Sequence, residues 1–170
     1  MINDAKYGYS VLGNDLRMTV LRSPVYAHHD PRKLQPGQDY LYQDQGEHAF
    51  RLLLLPHAGA WADARVTRFA EELNAPVPVI YQGIHGGSRP AAASFLAVDA
   101  PNVVVSVLKQ AEEGEAFILR AWETAGRQTT ATIDLTLLGR KWTGRFRPLE
   151  IKTLRIPAKG PIREVNILEE

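Results

Sequence analysis

The sequence predicts an all-β fold: an antiparallel β-sandwich with one short amphipathic helix. Three observations predict it. Short runs alternate apolar and polar side chains with period two, as in Ala131-Thr132-Ile133-Asp134-Leu135. Turn-forming residues separate these runs at spacings of about 8–12 residues, the rhythm of a sandwich. A single stretch, near residues 63–74, has helical spacing instead.

In chain order, Asn3-Asp4-Ala5-Lys6-Tyr7-Gly8-Tyr9 reads as a turn at a sheet edge rather than as a fraying start. Met1 is therefore expected to be an added start, with the natural chain extending upstream. Leu16, Met18 and Val20 share one face of a strand, and Arg17 and Thr19 the other. The polar stretch Ala27–Gln45, with Pro31, Pro36 and Gly37, reads as a long surface loop. Phe50, Leu52 and Leu54 line one face of the next run, and Leu53 and Leu55 make the other face apolar too. That pattern predicts a central strand covered on both sides. Val66, Phe69, Ala70 and Leu73 form a helical stripe, with Asp63 as the expected N-cap and Pro76 as the stop. Pro76–Pro101 is rich in Pro, Gly and Ala and reads as loop with a short strand near Ser94–Val98. A soft boundary there divides the chain into 1–100, part of the large sandwich with its helix, and 101–170, a smaller sandwich or continuation.

The second half carries the cleaner strands. Val103, Val105 and Val107 alternate with Val104, Ser106 and Leu108. Phe117, Leu119 and Ala121 alternate with Ile118, Arg120 and Trp122. The polar turn Glu112-Glu113-Gly114-Glu115 joins these two runs. Ala131, Ile133, Leu135 and Leu137 define another strand, and Trp142, Gly144 and Phe146 a further one. Leu149–Ile156 and Val165–Leu168 complete the series.

Composition narrows the function. Twenty Lys and Arg against 19 Asp and Glu leave a net charge of +1, with no electrostatic basis for binding nucleic acid or an anionic membrane. The chain has no cysteine, which excludes disulfides, zinc-thiolate sites and cysteine nucleophiles and suits the expected cytoplasmic location. No apolar run approaches the roughly 20 residues that span a bilayer, and Met1–Tyr9 lacks the apolar core of a signal peptide.

No catalytic residue emerges. Glu71 and Glu72 are helix neighbours that diverge by about 100°, and Glu112, Glu113 and Glu115 sit in a turn open to water, without the apolar pocket that a general acid uses. His28 and His29, beside Asp30, point apart in an extended loop, and His48, His57 and His85 lack metal-ligand spacing, so no metal site is expected. His85-Gly86-Gly87-Ser88 echoes an esterase oxyanion loop, but no Gly-x-Ser-x-Gly accompanies it, and the glycines are expected to serve a tight turn. Trp122 and Trp142 fall within strands and are expected to pack in the core. Tyr40 and Tyr42 share a face and are candidates for stacking on a sugar.

Several phrases, taken in order, resemble the carboxy-terminal region of glycoside hydrolase family 38 α-mannosidases of the bacterial type. They are Asn3–Tyr9; Leu16–Pro24; Asp44-Gln45-Gly46-Glu47-His48-Ala49-Phe50; Leu55-Pro56-His57-Ala58-Gly59; Glu72-Leu73-Asn74-Ala75-Pro76; Asn102–Lys109; Leu119–Thr124; Phe146–Arg155; and Arg163–Glu169. Their order and spacing make the resemblance specific. It implies a parent enzyme with a catalytic α/β domain first, a three-helix bundle next and β-sandwich domains last, so that this region comprises a portion of a large super-sandwich plus a smaller sandwich. Zinc and the aspartate nucleophile of its retaining mechanism belong to that first domain, so the resemblance implies no cofactor in this region. Animal members bring an arginine of an Asp-Arg-Ser-type motif to the substrate. Leu21-Arg22-Ser23-Pro24 corresponds to that phrase, making Arg22 the candidate substrate-binding residue, although the preceding Asp is missing. A structural ion pair for Arg22 is the alternative. Asp44, Gly46, His48 and His57 are expected to be architectural: Gly46 for its backbone angle, Asp44 and His48 in a turn, His57 as a buried, hydrogen-bonded imidazole.

Three functions follow as alternatives. The first is a non-catalytic carboxy-terminal domain of an α-mannosidase-like hydrolase, partnered by the catalytic and helical-bundle domains and by the mannoside. The second is a free-standing carbohydrate-binding module. The third is a structural or interaction domain. A region belonging to a larger enzyme is further expected to expose apolar surface, chiefly in its first half.

Overall fold

The computed structural model describes residues 1–25, 33–88 and 90–170. The chain divides into two compact units, Met1–Leu55 and Pro56–Glu170. Among the described residues nearly all regular structure is antiparallel strand, with a single α-helix.

The first unit holds β1 (Ile2–Asn3), β2 (Gly8–Leu12), β3 (Asp15–Thr19) and β4 (Leu52–Leu53). β1 pairs with β4, and β2 pairs with β3 as a hairpin. Asn3–Tyr9 is the expected edge turn: Asn3 Oδ1 accepts the Lys6 N–H at 2.6 Å, and Ala5 takes a left-handed φ of 61°. Asp4 clamps the two short strands by accepting Arg51 N–H at 2.6 Å and Nε–H at 2.9 Å. The Arg51 amide and guanidinium hold the Asp4 carboxyl below the usual range. The covered central strand expected at Phe50–Leu55 is not observed. Leu52 and Leu54 stay exposed and only two residues pair, because β1 is their single partner among the described residues. On the hairpin, Tyr9 faces Met18 and Val11 faces Leu16, and Tyr9, Val11 and Leu16 are exposed.

The second unit begins with α1 (Val66–Asn74). Val66, Ala70 and Leu73 form its half-buried stripe, with Phe69 exposed. Asp63 is not the N-cap. Residues 60–66 already make a tight turn, in which Ala64 N–H bonds Ala60 O and Val66 N–H bonds Trp61 O. That turn puts Arg65, at a φ of 54°, in the cap position. Asp63 instead pairs with Arg127 at 3.1 Å.

Seven strands follow: β5 (Ala97–Val98), β6 (Val103–Gln110), β7 (Ala116–Glu123), β8 (Thr129–Leu135), β9 (Arg140–Phe146), β10 (Ile151–Pro157) and β11 (Arg163–Val165). They form a four-stranded sheet, β11-β10-β7-β6, and a three-stranded sheet, β5-β8-β9. The two sheets share one core. Val103, Leu119, Ala121, Leu154 and Ile156 come from the first sheet, and Ala131, Ile133, Leu135 and Phe146 from the second. Each large apolar side chain so buried contributes about 1.5–3 kcal/mol, which makes this unit an antiparallel sandwich. Ser106 is the extra residue of a bulge between Val105 and Val107. Leu149 and Glu150 lie outside the strand expected at Leu149–Ile156, and of the strand expected at Val165–Leu168 only Val165 is in a strand, at the end of β11. Leu149 turns with a φ of 58° ahead of β10, and Leu168 is exposed in the bend after β11. Leu137 likewise falls in the 3-10 turn Thr136–Leu138. Among the described residues no helix is long and apolar enough to cross a membrane.

Candidate functional site

In the first unit, the entry to β2, the exit from β3 and the turn at Asp44–His48 enclose an open cleft of about 610 Å³. Lys6, Tyr7, Arg22, Asp44 and His48 supply its functional groups. Local bonding holds Arg22 there. Its neighbour Ser23 donates from Oγ to Gln43 O at 2.6 Å, and Gln45 Nε2 donates to Ser23 Oγ at 2.5 Å. Gln43 N–H bonds Pro24 O at 2.9 Å, and Val25 bridges to Tyr42. Residues 22–25 are thereby fixed alongside 42–45. The Asp44–His48 turn needs positive φ at Asp44 (54°) and Gly46 (125°), and the latter is the backbone role expected of that glycine. His48 Nε2–H donates to the Asp44 carbonyl at 2.8 Å, closing the turn as expected. Lys6 places its ammonium 5.1 Å from the Phe50 ring centroid.

Arg22 is exposed and, among the described residues, forms neither a hydrogen bond nor an ion pair. Among its described lining residues the cleft presents two cations, one carboxylate, an imidazole, a phenol and the Thr19 hydroxyl. This inventory suits a neutral polyol, which needs donors and acceptors together. Among the described residues Asp44 is the one carboxylate lining the cleft, and glycoside cleavage uses a facing pair.

The other candidates are dispersed. Glu71 and Glu72 are exposed on α1. Glu112, Glu113 and Glu115 occupy the β6–β7 turn, where Glu112 pairs with Lys109 and Arg155 Nη2 donates to Glu113 O at 2.5 Å. His57 is exposed rather than buried, because Pro56-His57 lies outside the strand and nothing packs over it. His85 is exposed too, and neither Gly86 nor Gly87 takes the left-handed backbone expected of a tight turn. Trp122 and Trp142 are half-buried, the latter against the core. Tyr42 is exposed, whereas the Tyr40 hydroxyl accepts Gln35 N–H at 2.9 Å. Tyr26, His28, His29 and Asp30 lie outside the described residues. Among the described residues no three His, Asp or Glu side chains gather to hold a metal ion, so these residues do not fit a zinc site.

Two polar centres in the second unit have no signature in the sequence. Glu123, wholly buried, accepts Asn102 Nδ2–H (2.7 Å), Ala125 N–H (2.8 Å), Leu149 N–H (3.0 Å) and Arg127 N–H (3.1 Å). Burial raises its pKa, but these four donors overcome that and hold it below the usual range. Glu169, also buried, pairs with Lys109 at 2.8 Å and accepts Glu112 N–H at 2.9 Å. Lys109 foremost holds its carboxyl low. Both centres are structural ties: the first joins three loops, and the second fastens residues 166–170 to the outer face of the four-stranded sheet.

Residues 102–170 match the family described as glycosyl hydrolases family 38 C-terminal beta sandwich domain. These residues belong to that family. The chain is 32% identical over 143 residues to human Alpha-mannosidase 2C1, covering 81% of this chain and 12% of that protein. It is 28% identical over 139 residues to Alpha-mannosidase G of Dictyostelium discoideum, with the same coverages. It is 26% identical over 151 residues to Alpha-mannosidase of Saccharomyces cerevisiae, covering 81% of this chain and 13% of that protein. The region therefore spans about an eighth of the relatives it matches. No solved structure matches it.

Proposed function

We propose that this region is a non-catalytic carboxy-terminal domain of an α-mannosidase-like glycoside hydrolase, and that Arg22 contacts the α-mannoside from the rim of the substrate pocket. The observation that carries the reading is the cleft, in which Arg22 is fixed by its neighbours' hydrogen bonds and has its guanidinium unengaged among the described residues. Its planar donors suit paired sugar hydroxyls. Lys6, Asp44 and His48 add a donor, an acceptor and an imidazole on the same surface. The ion-pair alternative for Arg22 has no partner among the described residues. On this reading zinc and the paired carboxylates act in a separate catalytic domain, and that domain with the helical bundle is the region's partner. Both the relatives' length and the exposed apolar face of the β2–β3 hairpin support such a partner.

Steady-state hydrolysis of an aryl α-mannoside by the full-length enzyme tests the role of Arg22. A hydrogen-bonded charged contact is worth about 1.5–3 kcal/mol, so Arg22→Ala is expected to lower kcat/KM by roughly 10–100-fold. Arg22→Lys keeps the charge without the fork and is expected to recover only part of the loss. Thermal unfolding should be unchanged in both. A wild-type kcat/KM for Arg22→Ala overturns the reading, as does a loss of activity that merely follows a loss of stability.

A further inference from the structure

Residues 77–84 of the second unit, Val-Pro-Val-Ile-Tyr-Gln-Gly-Ile, combine two features rarely left together in water. The first is apolar side chains with nothing over them: Val77, Val79, Ile80 and Tyr81 are 83%, 92%, 79% and 96% exposed. The second is an unengaged backbone, since no N–H or C=O of these residues bonds another described main-chain group. The composition is that of a strand, with β-branched and aromatic residues on both faces. An apolar strand covered on both faces and paired along its edge is the arrangement these residues require.

We infer that residues 77–84 form a docking strand that adds to an open β-sheet edge elsewhere in the longer polypeptide. This inference rests on the reading of the chain as part of a larger enzyme. The occupant follows from length: the region spans only 12% of its first relatives, so most of such a polypeptide lies outside the 170 residues. The sequence also selects which side of the strand pairs. Along an extended chain the N–H and C=O of alternate residues point to opposite edges. Pro78 has no N–H, so the edge of Pro78, Ile80 and Gln82 stays free. The bonded edge is that of Val77, Val79, Tyr81 and Gly83. Residues 77–84 therefore become an outermost strand of the completed sheet.

Hydrogen–deuterium exchange read by mass spectrometry on a peptide covering residues 76–85 tests this without an activity measurement, and so independently of Arg22. In the full-length polypeptide the peptide is expected to exchange about 10-fold or more slowly than in the 170-residue chain alone. Val79→Pro removes a donor from the bonded edge and is expected to abolish that protection. Ile80→Pro, of similar shape but on the free edge, is expected to keep it. Equal, fast exchange in both proteins overturns the inference. Protection of the short chain that grows with its concentration also overturns it, in favour of pairing with a second copy. If the two proline variants behave alike, the assigned edge is wrong.

Discussion

Glu123 has no solvent contact, yet it remains the acceptor for four N–H groups drawn from Asn102, Ala125, Arg127 and Leu149. Glu123→Ala would leave those donors buried without a partner, so a loss of about 3 kcal/mol or more is expected in urea unfolding. The pH dependence follows the same carboxylate. Its folded pKa is lowered, so its contribution is present above the unfolded value near 4.3 and is lost as pH falls through the folded value. Glu150, lowered by the Arg147 backbone N–H, and Glu169, lowered by Lys109, act in the same direction. Thermal unfolding between about pH 2 and 6 is therefore expected to show Tm dropping with acid, less steeply in Glu123→Gln. None of this was legible from the sequence, where Glu123 is a charged residue at the end of an apolar run. Its partners stand 2 to 26 residues away, and only the fold gathers them. Arg22 is the opposite case. The phrase around it singled it out, but its position in a cleft with Lys6 and His48 came from the hairpin geometry.

β9 shows how an element's side chains depend on one another. Trp142, Gly144 and Phe146 share a face, as the alternation predicted. The Trp142 ring lies over Gly144 and meets Phe146 edge-on, at 5.9 Å and 82°. A Cβ on Gly144 would overlap that ring. Gly144→Ala is accordingly expected to cost about 1–3 kcal/mol of stability, measured by chemical denaturation. Leu154→Ala on the central strand β10 is expected to cost about 2–5 kcal/mol by the same measurement, since it opens a cavity between the two sheets. β6 to β10 were legible because each turns apolar side chains at alternate positions toward one local core. The run Phe50–Leu55 carries as strong an apolar signal, yet only two of its residues pair. Periodicity reports which side chains need cover, and the cover for Leu52 and Leu54 is absent among the described residues. The Asp63 cap failed for a local reason, because a tight turn just before α1 moved the cap to Arg65.

The two units differ in how far each accounts for its own apolar surface. Pro56–Glu170 carries a two-sheet core with Phe146, Leu119, Ile133 and Leu154 fully buried, while the Met1–Leu55 unit buries Ile2 as its one core apolar residue among those described. Exposed apolar side chains mark residues 77–84, outside the core of the second unit, and the β2–β3 hairpin of the first as surfaces suited to further chain. Composition and motif order made the sandwich and the family readable, but they could not say which strands are completed within 170 residues. On the proposed function, this region supports and edges a mannoside-cleaving site without containing one. The most direct test compares hydrolysis of an aryl α-mannoside by the 170-residue chain and by the full-length enzyme under the same zinc-supplemented conditions. Turnover by the full-length enzyme alone is the predicted result, and turnover by the 170-residue chain itself would contradict it.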